Sequence, residues 1–312
     1  MIDARFRVVV VSGPARSGVS TTAYTVARAL ARDGRRVGVV LVDPSPSLEA
    51  TAGARLGDVW FERLDVAATF ERLVRGVADD DGQAAALLEN PLYGTLTASL
   101  PGAGDFTLLE RMAQLRDDDL FDVLVVDTPP SLPSGEFVTA SERVKGFLGH
   151  PVYRALSVGQ RAFGRVADAA LSSFLGEVKS VAGTQVADAT TAFFRGFSDL
   201  EGGLRERLDE VTDMLSADTT GFVMVSEPRP ESVTESGPLA ERLGSVGSLA
   251  GLVVNRVPRD GGDGVDDRLE AIASSVPVHE PVLLPLLGCG PVDGDFLDRL
   301  VESVPGAAPD GQ

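Results

Sequence analysis

Four consecutive valines, Val8 to Val11, run into Ser12-Gly13-Pro14-Ala15-Arg16-Ser17-Gly18, and a segment of helical period follows at once. A short, continuously apolar run has no polar face to offer water, so it reads as a strand covered on both sides, as in a parallel sheet. The helix expected after it starts near Ser20, carries Ala23, Val26, Ala27 and Leu30 on one face, and stops at Gly34. Strand, glycine-bounded loop and helix in this order commit the chain to alternating strands and helices.

Further strands are expected at Val37 to Val42, Leu96 to Leu100, Val123 to Val126, Phe222 to Val225, Leu249 to Val254 and Val282 to Leu286, with the first from Arg7 to Ser12. From about 137 to 216 the alternation stops, and Phe147, Leu156, Phe163, Leu171, Phe174 and Leu175 recur at helical spacings, which predicts a helical insertion. Its Phe193-Phe194-Arg195-Gly196-Phe197 cluster has two readings, buried core or exposed docking surface. The segment 260–267 reads as a surface loop and 305–312 as a disordered tail. The expected fold is α/β, a doubly wound, mostly parallel sheet in one domain of 312 residues that carries the insertion.

Gly13 and Gly18 stand five apart with Ser20 and Thr21 behind them, the frame of the phosphate-binding loop G-x-x-x-x-G-K-[ST]. In that frame backbone amides and a helix N-terminus cradle phosphate oxygens, and the hydroxyl after the lysine holds Mg²⁺. Gly13, Gly18, Ser20 and Thr21 fit, but the lysine position is Val19. In the deviant form of the loop, G-K-G-G-x-G-K-[ST]-[ST], a second lysine follows the first glycine and reaches the partner's nucleotide across a dimer; that position is Pro14. Both cations that neutralise phosphate charge are therefore missing, which marks a degenerate Walker A loop. Arg16 is a candidate replacement, against the alternative of a solvated surface side chain.

Two carboxylates end later strands. Asp43 closes Val39-Val40-Leu41-Val42 and is placed to orient water, and Asp127 closes Val123-Leu124-Val125-Val126 and is placed beside Mg²⁺ as a Walker B aspartate. Either alone is a common turn or cap residue. Their order and spacing after a phosphate loop make the combination specific.

Over nearly its whole length the chain resembles the arsenite-transporting ATPase family, which includes the ATPase that targets tail-anchored membrane proteins, within the wider group of dimeric MinD/ParA-type P-loop ATPases. Asp43-Pro44 is similar to the family's D-P-A-H switch, Asp127-Thr128-Pro129-Pro130 to its D-T-A-P switch, and Gly251-Leu252-Val253-Val254-Asn255-Arg256 to its V-V-N strand. The resemblance implies adenine recognition by Asn255, with Pro281 to Pro285 similar to the loop that closes over the base. It also implies ATP or ADP with Mg²⁺ as cofactor and a homodimer, or a heterodimer with an active paralogue. The departures are Pro46 in place of the first switch's histidine, Ser131-Leu132-Pro133 in place of T-G-H, and no Cys-x-x-Cys pair for a zinc clasp.

Forty-six acidic against 28 basic residues give a net charge of −18, which repels the phosphate backbone and excludes nucleic acid as the expected partner. One cysteine, Cys289, and two histidines, His150 and His279, far apart, offer no zinc site. No apolar run approaches the roughly 18 residues of a membrane span, and the N-terminus carries no secretory pattern, so a cytoplasmic protein is expected. Lys145 and Lys179 are the only lysines, yet drift toward arginine would leave Arg at position 19, whereas valine is a different kind of change. Three functions remain open: a nucleotide-binding pseudo-ATPase partner, a slow ATPase with Arg16 or a partner's arginine in place of the lysines, and a scaffold that binds an apolar protein client on the helical insertion without nucleotide.

Overall fold

The computed structural model describes residues 2–42, 53, 55–56, 58–98, 103–128, 136–151, 153–154, 184–259, 261–278 and 281–286. Asp43, the second switch beyond Thr128, the positions Leu156, Phe163, Leu171, Phe174 and Leu175, and the tail lie outside the described residues.

β1 (Val8–Ser12) pairs in parallel with β5 (Val123–Asp127) on one side and β6 (Thr220–Ser226) on the other. β2 (Val37–Leu41) follows β5 and β4 (Val59–Arg63) follows β2, while β7 (Ser248–Val257) and β8 (Val282–Pro285) extend the sheet beyond β6. These seven strands are all parallel, and the two-residue β3 (Arg55–Leu56) adds antiparallel to β4 at the edge. The chain builds toward β2 first and toward β6 later, so the winding direction reverses at β1. In such sheets the crevice for a ligand opens at the carboxyl end of the strands where the order reverses, which places it at Ser12 and the loop after it.

The valine run is explained by its neighbours. Val9 and Val11 pack with Ala23, Tyr24, Ala27 and Leu30 of α1 (Val19–Arg32) in one core, and Val8 and Val10 are also buried, so no side chain of β1 meets water. Each such side chain contributes roughly 1.5–3 kcal/mol. Tyr24 stacks on Phe61 of β4 with ring centroids 5.2 Å apart. On the other flank α9 (Pro230–Val246) and α10 (Val265–Ser275) pack on each other and on β7.

Two expectations change. Leu96 to Leu100 was expected as a strand, but α4 (Tyr93–Ala98) is a helix: the Thr97 hydroxyl donates back to the Tyr93 carbonyl at 2.7 Å, and Tyr93 packs edge-on against Phe70. Alternating Leu and Thr over so few residues has the look of either period, and tertiary packing decides. β4 went unrecognised because Trp60 is partly exposed and Glu62 and Arg63 are charged; a strand near a sheet edge need not be apolar throughout.

The chain divides into two compact units, one of residues 1–64, 111–138 and 214–312 that holds the sheet, and one of residues 65–110 and 139–213. The second is helical where described. α2 (Val66–Val77) starts at Asp65, whose carboxylate accepts the Ala68 amide at 2.9 Å. α3 (Asp81–Leu88), α4, α6 (Ala140–Gly149) and α7 (Thr184–Asp199) follow, and the divisions fall inside α5 (Ala103–Asp117) and α8 (Glu201–Ser216). Phe193, Phe194 and Phe197 are buried around Tyr153, with Phe193 and Phe197 stacked at 5.7 Å, so this cluster is core. Burial opposes the charge of Lys145, but its hydrogen bonds to Asp209 and Glu142 outweigh that and raise its pKa.

In the sheet unit the Arg36 guanidinium and backbone amide both bond to Asp122, at 2.8 and 2.7 Å, and hold its carboxyl at about 2 against an ordinary 3.8. A depressed carboxylate pKa contributes stability above its unfolded value that is lost as pH falls through the folded one. Urea midpoints of the wild type are therefore expected to fall more between pH 5 and pH 2 than those of Asp122→Asn. The effect is small because both partners are exposed. Parallel acid limbs for the two proteins would refute the pairing.

Candidate functional site

The loop from Gly13 to Gly18 leaves β1 at its carboxyl end and delivers the chain into α1. Its shape depends on two residues in left-handed backbone, Arg16 at φ 68° and Gly18 at φ 90°. The Ser17 amide donates to the Pro14 carbonyl at 3.1 Å and closes a tight turn between them. Gly18 is the cap of α1 and brings no side chain to its first amides, and no acidic residue occupies the first turn. The positive end of the helix dipole thus meets neither a capping side chain from Gly18 nor a first-turn carboxylate, the condition under which such an end can receive an anion.

Both glycines are demanded by close approach. A Cβ at Gly13 would stand 2.3 Å from the Val225 carbonyl oxygen and 2.6 Å from Ser17 Oγ, and one at Gly18 would stand 2.2 Å from Asn255 Nδ2. Ser17 is fully buried within the loop, and neither its hydroxyl nor that of buried Thr22 has a hydrogen-bond partner among the described residues. Buried hydroxyls of this kind are ordinarily paired, so each leaves a hydrogen bond to be made beside the loop. Ser20 and Thr21 sit half-buried on the first turn of α1.

Val19 is buried. It is 6% exposed and belongs to the core with Val9, Val11 and Ala23. Pro14 is buried too, while Arg16 is exposed. Val19 and Pro14, the two positions aligned with lysines of the motif, thus bring no charge to the loop.

Asp127 is buried at the end of β5, in register with Val11 on one side and Leu41 on the other, and so lies beside the start of the loop. The next residue ties the two strands: the Thr128 hydroxyl donates to the Val11 carbonyl at 3.0 Å. Among the described residues no three His, Cys, Asp or Glu side chains converge as a metal site. A Mg²⁺ held by a hydroxyl, phosphate oxygens and water needs no such group. The residues present therefore fit a phosphate with its Mg²⁺ in frame, though not in charge.

Asn255 is brought to the loop. The pairing of β7 with β8 is irregular between Val254 and Val257, and Arg256 adopts φ 56°, so this break re-aims both side chains. Asn255 Nδ2 donates to the Ser17 carbonyl at 3.0 Å, and Asn255 Oδ1 accepts the Arg256 amide at 2.9 Å. Arg256 Nη1 donates to the Arg16 carbonyl at 2.5 Å and stands 3.1 Å from Glu227 Oε2. Glu227 is 3% exposed and also pairs with Arg229. Pro281 to Pro285, similar in sequence to an adenine-closing loop, contributes the edge strand β8.

Glu227 and Arg256 escaped the sequence reading. Each is a charged residue one or two places past an apolar stretch, Val225-Ser226-Glu227 and Val254-Asn255-Arg256, and that shared position at the ends of adjacent strands was the available signal.

An uncharacterized protein of Streptomyces coelicolor is 29% identical to this chain over 153 residues. That stretch is 46% of this chain, which spans only 39% of the length of this relative. No helix among the described residues is long and apolar enough to cross a membrane. The sequence profile of the anion-transporting ATPases matches residues 6–266, a span that contains the loop, Asp127, Asn255 and both units' helices up to α10, and the chain belongs to that family.

Proposed function

We propose that this chain is a nucleotide-binding, regulatory member of the anion-transporting ATPase family with weak or no ATP hydrolysis. The observation that carries this reading is the burial of Val19 in the apolar core while the glycine frame around it is kept. A loop under no demand to meet phosphate has no reason to hold two residues in left-handed backbone and two glycines against neighbouring chain. A loop that drives phosphoryl transfer needs cations where this one has Val19 and Pro14.

In this reading Gly13, Arg16, Gly18, Ser20 and Thr21 receive the phosphates through backbone amides and hydroxyls. Asn255 stands on the adenine side, Ser20 and Asp127 are the Mg²⁺-associated residues, and Asp43 orients water if turnover occurs. The bound ion would screen phosphate charge. The partner is a second chain, either a copy or an active paralogue. The Phe193 to Phe197 cluster, being core, does not support docking of an apolar client at that place.

Calorimetry with Mg·ATP and Mg·ADP, at low and at molar salt because of the net charge of −18, followed by a hydrolysis assay on the same sample, tests the proposal. Binding without turnover is the expected result. Steady turnover would replace it with the slow-ATPase reading, and no binding at either salt concentration would leave a scaffold.

A further inference from the structure

Two neighbouring residues at the end of β7 each hold one carbonyl of the phosphate loop, Asn255 that of Ser17 and Arg256 that of Arg16. In a trans peptide the carbonyl and the amide of one plane point in opposite directions. Holding these two oxygens therefore turns the amides of Ser17 and Gly18 away from β7. The Ser17 amide closes the turn onto Pro14, and Gly18 follows as the cap of α1.

Arg256 brings a charge as well as a hydrogen bond. Glu227 is shared by Arg229 and Arg256, so two guanidinium groups meet one buried carboxylate and one positive charge is left over behind the loop. A charged donor makes a stronger bond than a neutral one, so Arg256 fixes the Arg16–Ser17 peptide firmly, and the amide of that peptide is the one that closes the turn onto Pro14. Left-handed backbone at both Arg16 and Arg256 fixes the contact.

We propose that Arg256 is the positioning residue of this loop: held by Glu227, it fixes the Arg16–Ser17 peptide and the turn that Ser17 closes, and its charge, in excess of the one carboxylate it shares with Arg229, supplies to a bound di- or triphosphate part of the positive potential that a lysine at position 19 supplies from in front. This rests on the nucleotide reading above and deepens it, replacing Arg16's side chain with Arg256 as the source of compensating charge.

The full chain is tested as wild type, Arg256→Lys, Arg256→Gln and Arg256→Ala, with binding of Mg·ATP and of inorganic pyrophosphate measured by calorimetry and amide exchange followed over residues 15–22. Loss of a bond to a charged donor predicts roughly tenfold weaker binding of both ligands by the Gln variant, with most of the affinity retained by Lys. Exchange in the loop should rise in the Ala variant. Equal affinities for Gln and Lys would overturn the charge role, since a brace alone would not distinguish them. If the wild type binds neither ligand, the nucleotide reading fails separately: faster loop exchange in Arg256→Ala would still support the positioning role, and unchanged exchange would overturn it.

Discussion

Gly13→Ala is expected to destabilise the protein by about 3 kcal/mol, at the upper end of overpacking costs. The added methyl would stand 2.3 Å from the carbonyl oxygen of Val225. That oxygen belongs to β6, which is hydrogen-bonded to β1 on one side and β7 on the other, so it has no room to retreat. Relief must come from the loop, and moving the loop disturbs the bond between Asn255 and Ser17. Denaturant unfolding checks this against Gly251→Ala, where a Cβ meets nothing within 4 Å and little change is expected. A Gly13→Ala protein as stable as the control would mean that the loop does not lie on β6.

Val19→Lys is expected to lower stability without nucleotide by about 2–4 kcal/mol, because it places an ammonium group in a desolvated setting. The side chain at 19 is 6% exposed and belongs to the core that includes Val9, Val11 and Ala23. With Mg·ATP the same variant is expected to recover, since an anion in the loop gives the ammonium a partner. At a ligand concentration about 100 times Kd, binding adds roughly 2.7 kcal/mol. Thermal unfolding with and without Mg·ATP therefore reports both halves. A variant as stable as the wild type in the absence of nucleotide would show that the side chain at 19 already points outward, and the pseudo-ATPase reading would lose its main support.

The parts of the fold open to sequence reading are those in which burial on both faces leaves a continuous apolar mark. β1, β2, β5 and β6 are of this kind, and each was expected within two residues of its observed ends. β4 carries no such mark because Glu62 is held by Arg111, at 2.6 Å, instead of by an apolar neighbour. The loop was legible through its glycines, whose spacing records where the chain must approach other backbone. What Val19 does was not legible: its identity shows that a lysine is missing, but only its packing shows that the position has become core. Nor was the role of Arg256, since its partner Glu227 is 29 positions away and the two meet only through the pairing of β6 with β7.

That pairing has a consequence for synthesis. The bonds that hold the loop join residues 238 and 240 positions apart, Asn255 to Ser17 and Arg256 to Arg16. Contacts so distant in sequence form late, after closure of the long intervening chain. A nascent chain that has emerged only as far as β6 already possesses β1, the glycines and α1, yet lacks the residues that shape the loop. The braced form of the loop thus arrives with the last third of the chain, and a truncated product would carry the motif without the bonds that shape it.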